Sequence, residues 1–423
     1  MPEPSKWLQP RSYHAFRCIG AQCEDTCCAG WIVHVDQTTY EAYQRVDAPE
    51  LAPRLHQLVT LNTEDSSADN YARISLSGPS CPFLAEGLCS IQSRLGEEYL
   101  PVMCSTYPRV MNLVDDTLQR SLDLSCPEAA RLVLLDPEPM RFDTDEGAPH
   151  DPRRRNLSRL RTADGQGGKP YEHFRQIREV TIWMLQYRQY GLWERITILA
   201  SLCDQLQTNV EAGQQSQIPE VLAAYRDAVE RGTFDAALAS HRPQQVKQLE
   251  LILELIIGRI GSDFTTPRLL ACYQKFMDGM AWTADVSMAE LGTRYGAAHA
   301  QYYAPFLKEH QHMLEHYLVN YVHRTLFPLG PQETTRGPSR YYVARTIRDH
   351  CLLLLTYFGI IQTLLVGVAS FHKEGFGTAE ALQVIQSFTK AFEHSPSFPD
   401  RAKEIQAAKG VTSCIMMAIL LLN

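Results

Sequence analysis

The chain of 423 residues lacks several features that would point directly to a function. It has no net positive charge: its formal net charge of −8 argues against general nucleic-acid binding, which needs clustered cations. It also lacks an apolar run near its N-terminus, so we expect no secretory signal and a cytoplasmic location. Disulfides are rare in that compartment, so an abundance of cysteine needs another explanation.

Long apolar runs are also scarce. One segment, 351–371, carries no charge over 21 positions and is long enough to span a bilayer. Four polar residues and two glycines interrupt it, and a central buried helix of a helical body explains the segment equally well. We therefore expect a core helix and no membrane span.

Standard motifs for zinc and for methyl donors are absent. The cysteines do not form the paired C-x2-C of a zinc ribbon. They do not form the C-x3-C-x2-C motif of radical S-adenosylmethionine enzymes either, because Gly30 stands where the third cysteine would follow Cys23 and Cys27. The glycine-rich run at 164–170 follows no predicted strand, so no nucleotide-binding turn is recognisable.

Cysteine is the residue that the N-terminal third has in excess. Thiolates bind soft metal ions and iron–sulfur clusters, and a cation or cluster relieves the repulsion between crowded thiolates. The sequence predicts a pool of eight metal ligands and leaves open whether they form one site or two: Cys18, Cys23, Cys27, Cys28, Cys81, Cys89, Cys104 and Cys126. The other four are scattered along apolar segments and are expected to be small buried hydrophobes: Cys203, Cys272, Cys351 and Cys414.

The pattern of polar and apolar residues predicts a mainly α protein, in which a cysteine-rich N-terminal module with little β structure packs on a helical body. We place the module at 1–135, a charged Pro/Gly-rich linker or insertion at 136–170, and the helical body at 171–423. Partial alternation predicts short strands at 31–36 and 72–77.

Local signals predict individual helices. Two prolines limit the stretch around Cys104 to a short helical turn, and Pro127 favours a helix start within 126–135. A further helix is expected to begin at a Thr378 cap. The segment 246–260 should bury one face, made of Leu249, Ile252, Leu253, Ile256, Ile257 and Ile260.

Three stretches carry a resemblance to a known family. "FRCIGAQCEDTCCAGWIVHVD", "CPFLAEGLCSIQSRLGEEYLPVMCSTYPRV" and "RSLDLSCPEAARLVLL" resemble the flagellin lysine-N-methylase family through residues 16–140. The resemblance implies a bacterial cytoplasmic enzyme that methylates lysines of flagellin before export. It also implies S-adenosylmethionine as the methyl donor and an iron–sulfur cluster, most simply 4Fe-4S, on cysteines of this block.

That chemistry requires a neutral amine, whereas lysine is almost wholly protonated at pH 7. A base or a desolvating site must remove the proton. Tyr107, Asp25 and Asp123 lie close in sequence to the cysteines and are candidate catalytic residues, with Asp36 a weaker one. Without a glycine-rich turn, we hypothesise that an iron ligated by only three cysteines binds the donor.

Two other functions remain open on the sequence. "HMLEH" matches H-x-x-E-H, so His312, Glu315 and His316 could form a zinc metallopeptidase site with Glu393 as a distant ligand. A non-catalytic iron–sulfur or zinc scaffold is the second alternative. Under the methylase hypothesis the active site lies where the module meets the body, with Trp31 and Tyr107 near its opening.

Overall fold

The computed structural model describes residues 6–29, 33–63, 66–75, 80–146, 157–163, 168–260, 266–333 and 344–423. Its strands are β1 Lys6–Pro10, β2 Val33–Val35, β3 Val59–Leu61, β4 Ala72–Ile74, β5 Leu84–Ala85, β6 Leu88–Cys89, β7 Arg109–Val114, β8 Thr117–Leu122, β9 Phe142–Glu146 and β10 Ser158–Leu160. The N-terminal helices are α1 Ser12–Ala15, α2 Gln37–Tyr43, α3 Ala52–Leu58, α4 Ser90–Leu95, α5 Val102–Thr106 and α6 Pro127–Leu134. The later helices are α7 Phe174–Leu185, α8 Leu192–Glu211, α9 Ile218–Glu230, α10 Asp235–Ser240, α11 Gln245–Ile260, α12 Pro267–Gly279, α13 Met288–Ala298, α14 Ala304–Arg324, α15 Ile347–His372, α16 Thr378–Phe388, α17 Phe398–Ala408 and α18 Cys414–Leu420.

The strands form three small sheets. Five strands align in the order β10-β7-β8-β1-β9, in which β1 pairs parallel to β8 and β7 pairs parallel to β10. A three-stranded antiparallel sheet has the order β2-β4-β3, and β5 and β6 form a separate hairpin. The expectation of a mainly α protein with little β structure near its N-terminus is confirmed, as are both short predicted strands.

The hairpin β5–β6 turns through Glu86 and Gly87, both with positive φ (52° and 79°). Two consecutive residues of positive φ are what a tight two-residue hairpin turn requires. The turn sets Cys89 opposite Leu84 across the hairpin. It therefore fixes one cysteine of the predicted ligand pool on a short, defined element.

Two hydrophobic cores organise the chain. One lies among residues 33–104 and includes Val35, Leu55 and Phe83, all fully buried. The larger core runs from Phe16 through α6 and the later helices, because α6 packs against α14 and α16. The segment 136–170 contributes β9 and β10 to the five-stranded sheet, whereas the division of the chain at 135 and 170 stays a prediction.

Helix α15 is the centre of the larger core. Among the described residues it is the one helix long and apolar enough to cross a membrane, and its apolar stretch is wholly buried inside the protein. It packs against α8, α11, α12 and α16. Gly279 and Gly367 allow α12 and α15 to approach closely, since a side chain at Gly279 would meet the carbonyl oxygen of Gly367. The core-helix interpretation of 351–371 is confirmed.

The predictions for individual helices hold with two corrections. Helices α5 and α6 occur as expected, but Ile257 is 50% exposed although it was assigned to the buried face of α11. Helix α16 is capped one residue earlier than expected: Gly377 is its N-cap, and its N–H donates to Glu380 (3.0 Å). Glu380 therefore stands at the third helical position, which completes the capping geometry that a Thr378 cap lacked.

The four cysteines outside the N-terminal pool are buried, as expected. Three of them come from distant parts of the chain and meet where their helices pack. Cys351 on α15 lies in hydrogen-bonding contact with Cys203 on α8 and with Cys414 on α18. Burial, above all, raises the pKa of Cys351 well above its ordinary value, so Cys351 stays a thiol.

Candidate active site between the cysteine segments and the helical body

Five of the eight N-terminal cysteines form one group, here called the five-thiol group. Cys27 and Cys28 lie in the loop before β2, Cys81 precedes β5, Cys89 ends β6 and Cys104 lies on α5. The N–H of Cys81 donates to the carbonyl of Cys28 (2.7 Å), which joins two of these segments. The thiols are near enough for their charges to act on one another's pKa values. The fold thus gathers thiols that lie up to 77 positions apart in the sequence.

Two thiols of this group ionise readily. Hydrogen bonding with Cys28 lowers the pKa of Cys27 to about 7 and that of Cys89 to about 6. The contact with Cys27, together with that to Cys89, raises the pKa of Cys28 itself. Because metals are bound by thiolates, Cys27 and Cys89 are close to the ligating form at neutral pH.

The remaining three cysteines of the pool form a second set, the three-thiol group. Cys18 and Cys23 flank the short turn Gly20–Gln22, and Cys126 immediately precedes α6. Burial raises the pKa of Cys126 to about 12, and the charges of Cys23 and Cys18 add to that rise. Burial also raises the pKa of Cys23. The structure therefore divides the predicted pool into two sets of five and three thiols.

The five-thiol group is a set of sulfur donors without a preformed site for a single ion. Among the described residues, no three His, Cys, Asp or Glu side chains are placed to hold one metal ion. The five-thiol group offers the sulfur ligands that iron–sulfur clusters use, two of them with pKa values near or below neutrality.

Asp25 connects the first cysteine segment to the helical body. Lys390 Nζ donates to both carboxylate oxygens of Asp25 (3.0 and 2.9 Å) and to the carbonyl of Thr26 (2.7 Å). Gln386 Nε2 donates to Asp25 (2.9 Å) and to the carbonyl of Ser125 (2.7 Å). The side chains of Lys390 and Asp25 are only 10% and 13% exposed. This carboxylate therefore already binds an ammonium group from the chain itself.

Asp123 lies behind Ser125 in a buried network of charges. It accepts hydrogen bonds from the N–H (2.9 Å) and Oγ (2.6 Å) of Ser125, and it pairs with His394 (3.2 Å) and Arg324 (3.4 Å). Burial alone would raise the pKa of Asp123, but His394 and Arg324 outweigh it and hold that pKa far below its usual range. Asp123 stays ionised, so it orients its neighbours and is too acidic to remove a proton from lysine.

Tyr107 completes this junction from the other side. Its hydroxyl lies 3.0 Å from Oγ of Ser125, which it shares with Asp123. Burial raises the pKa of Tyr107 well above its ordinary value, and the charges of Cys126 and Asp123 add to the effect. Tyr107 therefore remains a phenol that can donate or accept a hydrogen bond. Asp25, Asp123 and Tyr107 all lie within two hydrogen bonds of Ser125, at the predicted meeting point of module and body.

A small pocket of about 40 Å³ adjoins the Asp123 network. Tyr321, Tyr357 and Leu353 line it together with Arg324 and Glu393. Glu393 pairs with Arg324 and accepts a hydrogen bond from Tyr317 (2.7 Å), and burial raises its pKa. An aromatic-walled pocket with a carboxylate at its end has the chemistry to receive an alkylamine side chain.

Three residues of this junction were missed in the sequence, Gln386, Lys390 and His394, and Glu393 was named only as a distant zinc ligand. All four come from α16, the turn Thr389–Glu393 that continues it as a π-helix, and the residue after that turn. They recur at intervals of four, three and one residues within a mostly buried segment. That polar stripe at helical spacing was the available signal, because polar residues on the buried side of a helix need partners.

The zinc metallopeptidase interpretation is wrong. Both carboxylate oxygens of Glu315 are held by arginines, at 2.8 Å from Arg188 and 2.7 Å from Arg195. His316 Nδ1 contacts the carbonyl of Val133 (2.8 Å), and Glu393 lies with Arg324 in a different network. A metal-bound water would find no free carboxylate here to act as its base.

Two lesser predictions have simpler outcomes. Asp36 is the N-cap of α2, where it accepts from the N–H of Thr39 (3.1 Å) and also from that of Val102 (3.2 Å). It is a structural cap, which argues against a catalytic role. Trp31, expected near the opening of the site, lies outside the described residues.

Comparison with known proteins places this arrangement in a family. The family model described as "FliB lysine N-methylase C-terminal domain" matches residues 178–420, more than half of the chain, from within α7 to the end of α18. The chain is 30% identical over 133 residues to the Lysine-N-methylase of Salmonella typhimurium and to that of Salmonella choleraesuis. It is also 30% identical over 133 residues to the Flagellar biosynthetic protein FliU of Salmonella muenchen.

These pairwise matches cover 31% of this chain and 79% of the FliU protein. They cover 33% of each Lysine-N-methylase, so the matched region spans about a third of those relatives. No solved structure matches the chain significantly. The family model, which matches the helical body that carries Lys390, Arg324 and His394, decides the assignment: the chain belongs to the FliB lysine N-methylase family.

Proposed function

We propose that the protein is a protein-lysine N-methyltransferase that acts on flagellin in the bacterial cytoplasm. The match of the family model to residues 178–420 is the observation that carries the proposal. The names of the relatives, a lysine-N-methylase and a flagellar biosynthetic protein, support both the reaction and a flagellar substrate. The buried position of α15 is consistent with a protein that works in the cytoplasm.

The reaction transfers a methyl group from the sulfonium of S-adenosylmethionine to the lysine nitrogen. The nitrogen lone pair forms a bond to the methyl carbon while the carbon–sulfur bond breaks, and S-adenosylhomocysteine leaves. The ammonium must lose its proton before it can attack. The chain therefore has to provide an acceptor for that proton near the amine.

His394 is the residue of the junction best suited to accept the proton. Its Nε2 lies 3.2 Å from the ionised carboxylate of Asp123, and its side chain is 19% exposed. A carboxylate that orients a histidine and stabilises its protonated form is a recurring general-base arrangement. Asp123 then acts as the positioning residue, and Tyr107 fixes Ser125 beside it.

The pocket beside this network is the proposed entrance for the substrate lysine. The aromatic faces of Tyr321 and Tyr357 would attract the ammonium and contact the aliphatic stem as the side chain enters. The cation of Arg324 at the same end would favour the neutral amine over the ammonium, which lowers the pKa of the bound lysine. The pocket thus combines an attraction that brings lysine in with a charge that prepares it for methylation.

The five-thiol group would hold an iron–sulfur cluster, of the 4Fe-4S type. Cys27 and Cys89, with their lowered pKa values, would provide thiolate ligands, and three more thiols of the group are available to complete the set. When bound, a cluster with one iron not ligated by cysteine would supply a Lewis-acidic position for the amino and carboxyl groups of the donor. Lys390 and Asp25 fix the Cys27 loop against the body, so the cluster would lie beside the junction.

Mass spectrometry of flagellin tests the proposal. Purified flagellin, anaerobically prepared protein and S-adenosylmethionine with an isotopically labelled methyl group are combined, and tryptic peptides are examined for labelled methyl-lysine. We expect label on flagellin lysines only when protein and donor are both present. Protein that contains iron and is folded, yet transfers no label, would instead favour a non-catalytic iron–sulfur scaffold.

A further inference from the structure

A second pocket, of about 220 Å³, lies at the end of α6 that is remote from Cys126. Its walls include the apolar side chains of Leu132 and Met140, and its rim carries the charged residues Glu138 and Arg141. None of the junction residues described above lines it.

His316 at the wall of this pocket has an unsatisfied acceptor. Its side chain is 2% exposed, and Nδ1 lies 2.8 Å from the carbonyl oxygen of Val133. A carbonyl oxygen can only accept, so Nδ1 carries a proton, and in a neutral imidazole with that tautomer Nε2 is an acceptor. Nε2 of His316 is buried and has no hydrogen-bond partner. The same holds for Oγ of Ser12, which lines the same pocket. Such atoms are costly to bury unpaired, so the pocket is built for a ligand with N–H or O–H donors.

The rim adds groups of both charges. Asp136 and Glu138 stand together in one turn, in which the N–H of Glu138 donates to Asp136 (3.0 Å). Neighbouring carboxylates are suited to accept from vicinal hydroxyl groups of a ribose. Arg11 and Arg141 also line the pocket, and the N–H of Arg11 donates to the carbonyl of Arg141 (3.1 Å). Nε of Arg11 donates to Asp143 (3.1 Å), so that guanidinium is already paired within the chain.

Taken together, these groups match one class of ligand. An acceptor at His316 suits an amino-substituted base, the carboxylates suit a ribose diol, and the apolar wall of Leu132 and Met140 suits a flat ring. A nucleoside has all three features. S-adenosylmethionine and its product S-adenosylhomocysteine are of this class.

The pocket also lies on the elements that carry the three-thiol group. Helix α1 follows Arg11, packs on α6 and leads to Cys18, while Cys126 begins the opposite end of α6. Eight helical residues at 1.5 Å each place the two ends of α6 about 12 Å apart. We propose that this pocket holds the adenosyl part of the methyl donor, an inference that rests on the proposed methyltransferase function.

Binding of S-adenosylhomocysteine to the full-length, anaerobically purified protein tests the proposal without an activity measurement. Isothermal titration calorimetry is applied to wild type, Glu138→Gln and His316→Phe, with Glu220→Gln on α9 as the matched control. Glu138 and Glu220 are both exposed, so their replacements should leave the fold intact. We expect each pocket variant to bind about tenfold more weakly, or worse, and the control to bind like wild type.

The possible outcomes distinguish a failure of the pocket assignment from a failure of the proposed methyltransferase function. If wild type binds the probe and Glu138→Gln binds it equally well, the donor lies elsewhere and the proposal fails, while methylation of flagellin leaves the proposed function standing. If wild type does not bind the probe at all, the pocket assignment also fails. Loss of affinity in Glu138→Gln decides the question even if His316→Phe does not fold, since the exposed substitution does not depend on packing.

Discussion

The ion pair between Lys390 and Asp25 should determine how firmly the first cysteine segment is held on the helical body. We predict that Lys390→Met releases this segment locally without unfolding the protein. The substitution removes three hydrogen bonds from Lys390 Nζ and leaves a carboxylate that is 13% exposed without its cation. Breaking a buried pair by removing one partner costs about 3–5 kcal/mol, and the lower value suits side chains that keep some exposure.

A loss of about 3 kcal/mol raises the population of the open form about 150-fold. Hydrogen exchange followed by mass spectrometry measures this on peptides that contain Thr26 and Cys28, whose N–H groups are bonded to Asp25 (2.8 Å) and to Thr26 Oγ1 (3.1 Å). Exchange of these amides should accelerate by that factor in Lys390→Met.

A matched control is Lys409→Met, which removes an ion pair to Glu254 whose partners are 40% and 48% exposed. Exposed pairs contribute about 0–1 kcal/mol, so exchange around Thr26 should not change in the control. Equal exchange rates around Thr26 in Lys390→Met and Lys409→Met would refute the docking role of the buried pair.

Three further predictions concern the body and the junction. Glu315→Gln leaves Arg195, 1% exposed, without its charge partner, so urea denaturation should show an unfolding free energy lower by about 3–5 kcal/mol; unchanged stability would contradict this. Burial lowers the pKa values of His323 and His350 to about 3, so the folded state binds fewer protons than the unfolded state between pH 6.5 and 3. The free energy of unfolding should therefore fall as pH decreases, by about 2 kcal/mol per histidine from about pH 7.5 to 5. His323→Gln should make this dependence on pH less steep, and an equally steep dependence in the variant would contradict the prediction. His394→Gln should slow lysine methylation by about 100-fold or more and alter its pH profile while iron content stays unchanged, and a wild-type rate would exclude His394 as the base.

Much of the fold could be predicted because it depends on local signals. Pro127 marks the start of α6, the two prolines around Cys104 limit α5 to five residues, and helical periodicity marks α11. The position of α15 inside the body also followed from its composition. The exposure of Ile257 could not be predicted from the sequence. The sequence of α11 contains no signal that the neighbouring helices leave that side of the helix uncovered.

The site was predictable in its residue types but not in its grouping. The crowding of cysteine along the chain indicated metal ligation. The spacing does not show, however, that Cys126 lies with Cys18 and Cys23, or that Cys104 belongs to the other group. The pairing of Asp25 with Lys390 spans 365 positions, and no local pattern encodes such a contact. Asp123 was found by its position beside Cys126, whereas its ionised state depends on Arg324 and His394, which only the fold brings near.

The proposed cluster is tested most directly by the iron and acid-labile sulfide content of protein purified without air. The wild-type protein should be coloured and contain both elements in similar amounts. Replacing Cys81, Cys89 and Cys104 together by alanine should remove them, because only two thiols of the five-thiol group remain. Replacing the buried body cysteines Cys203, Cys272 and Cys414 by alanine should leave the iron and sulfide content unchanged. Anaerobic wild-type protein that lacks iron, or a triple variant of the five-thiol group that retains it, would contradict the account.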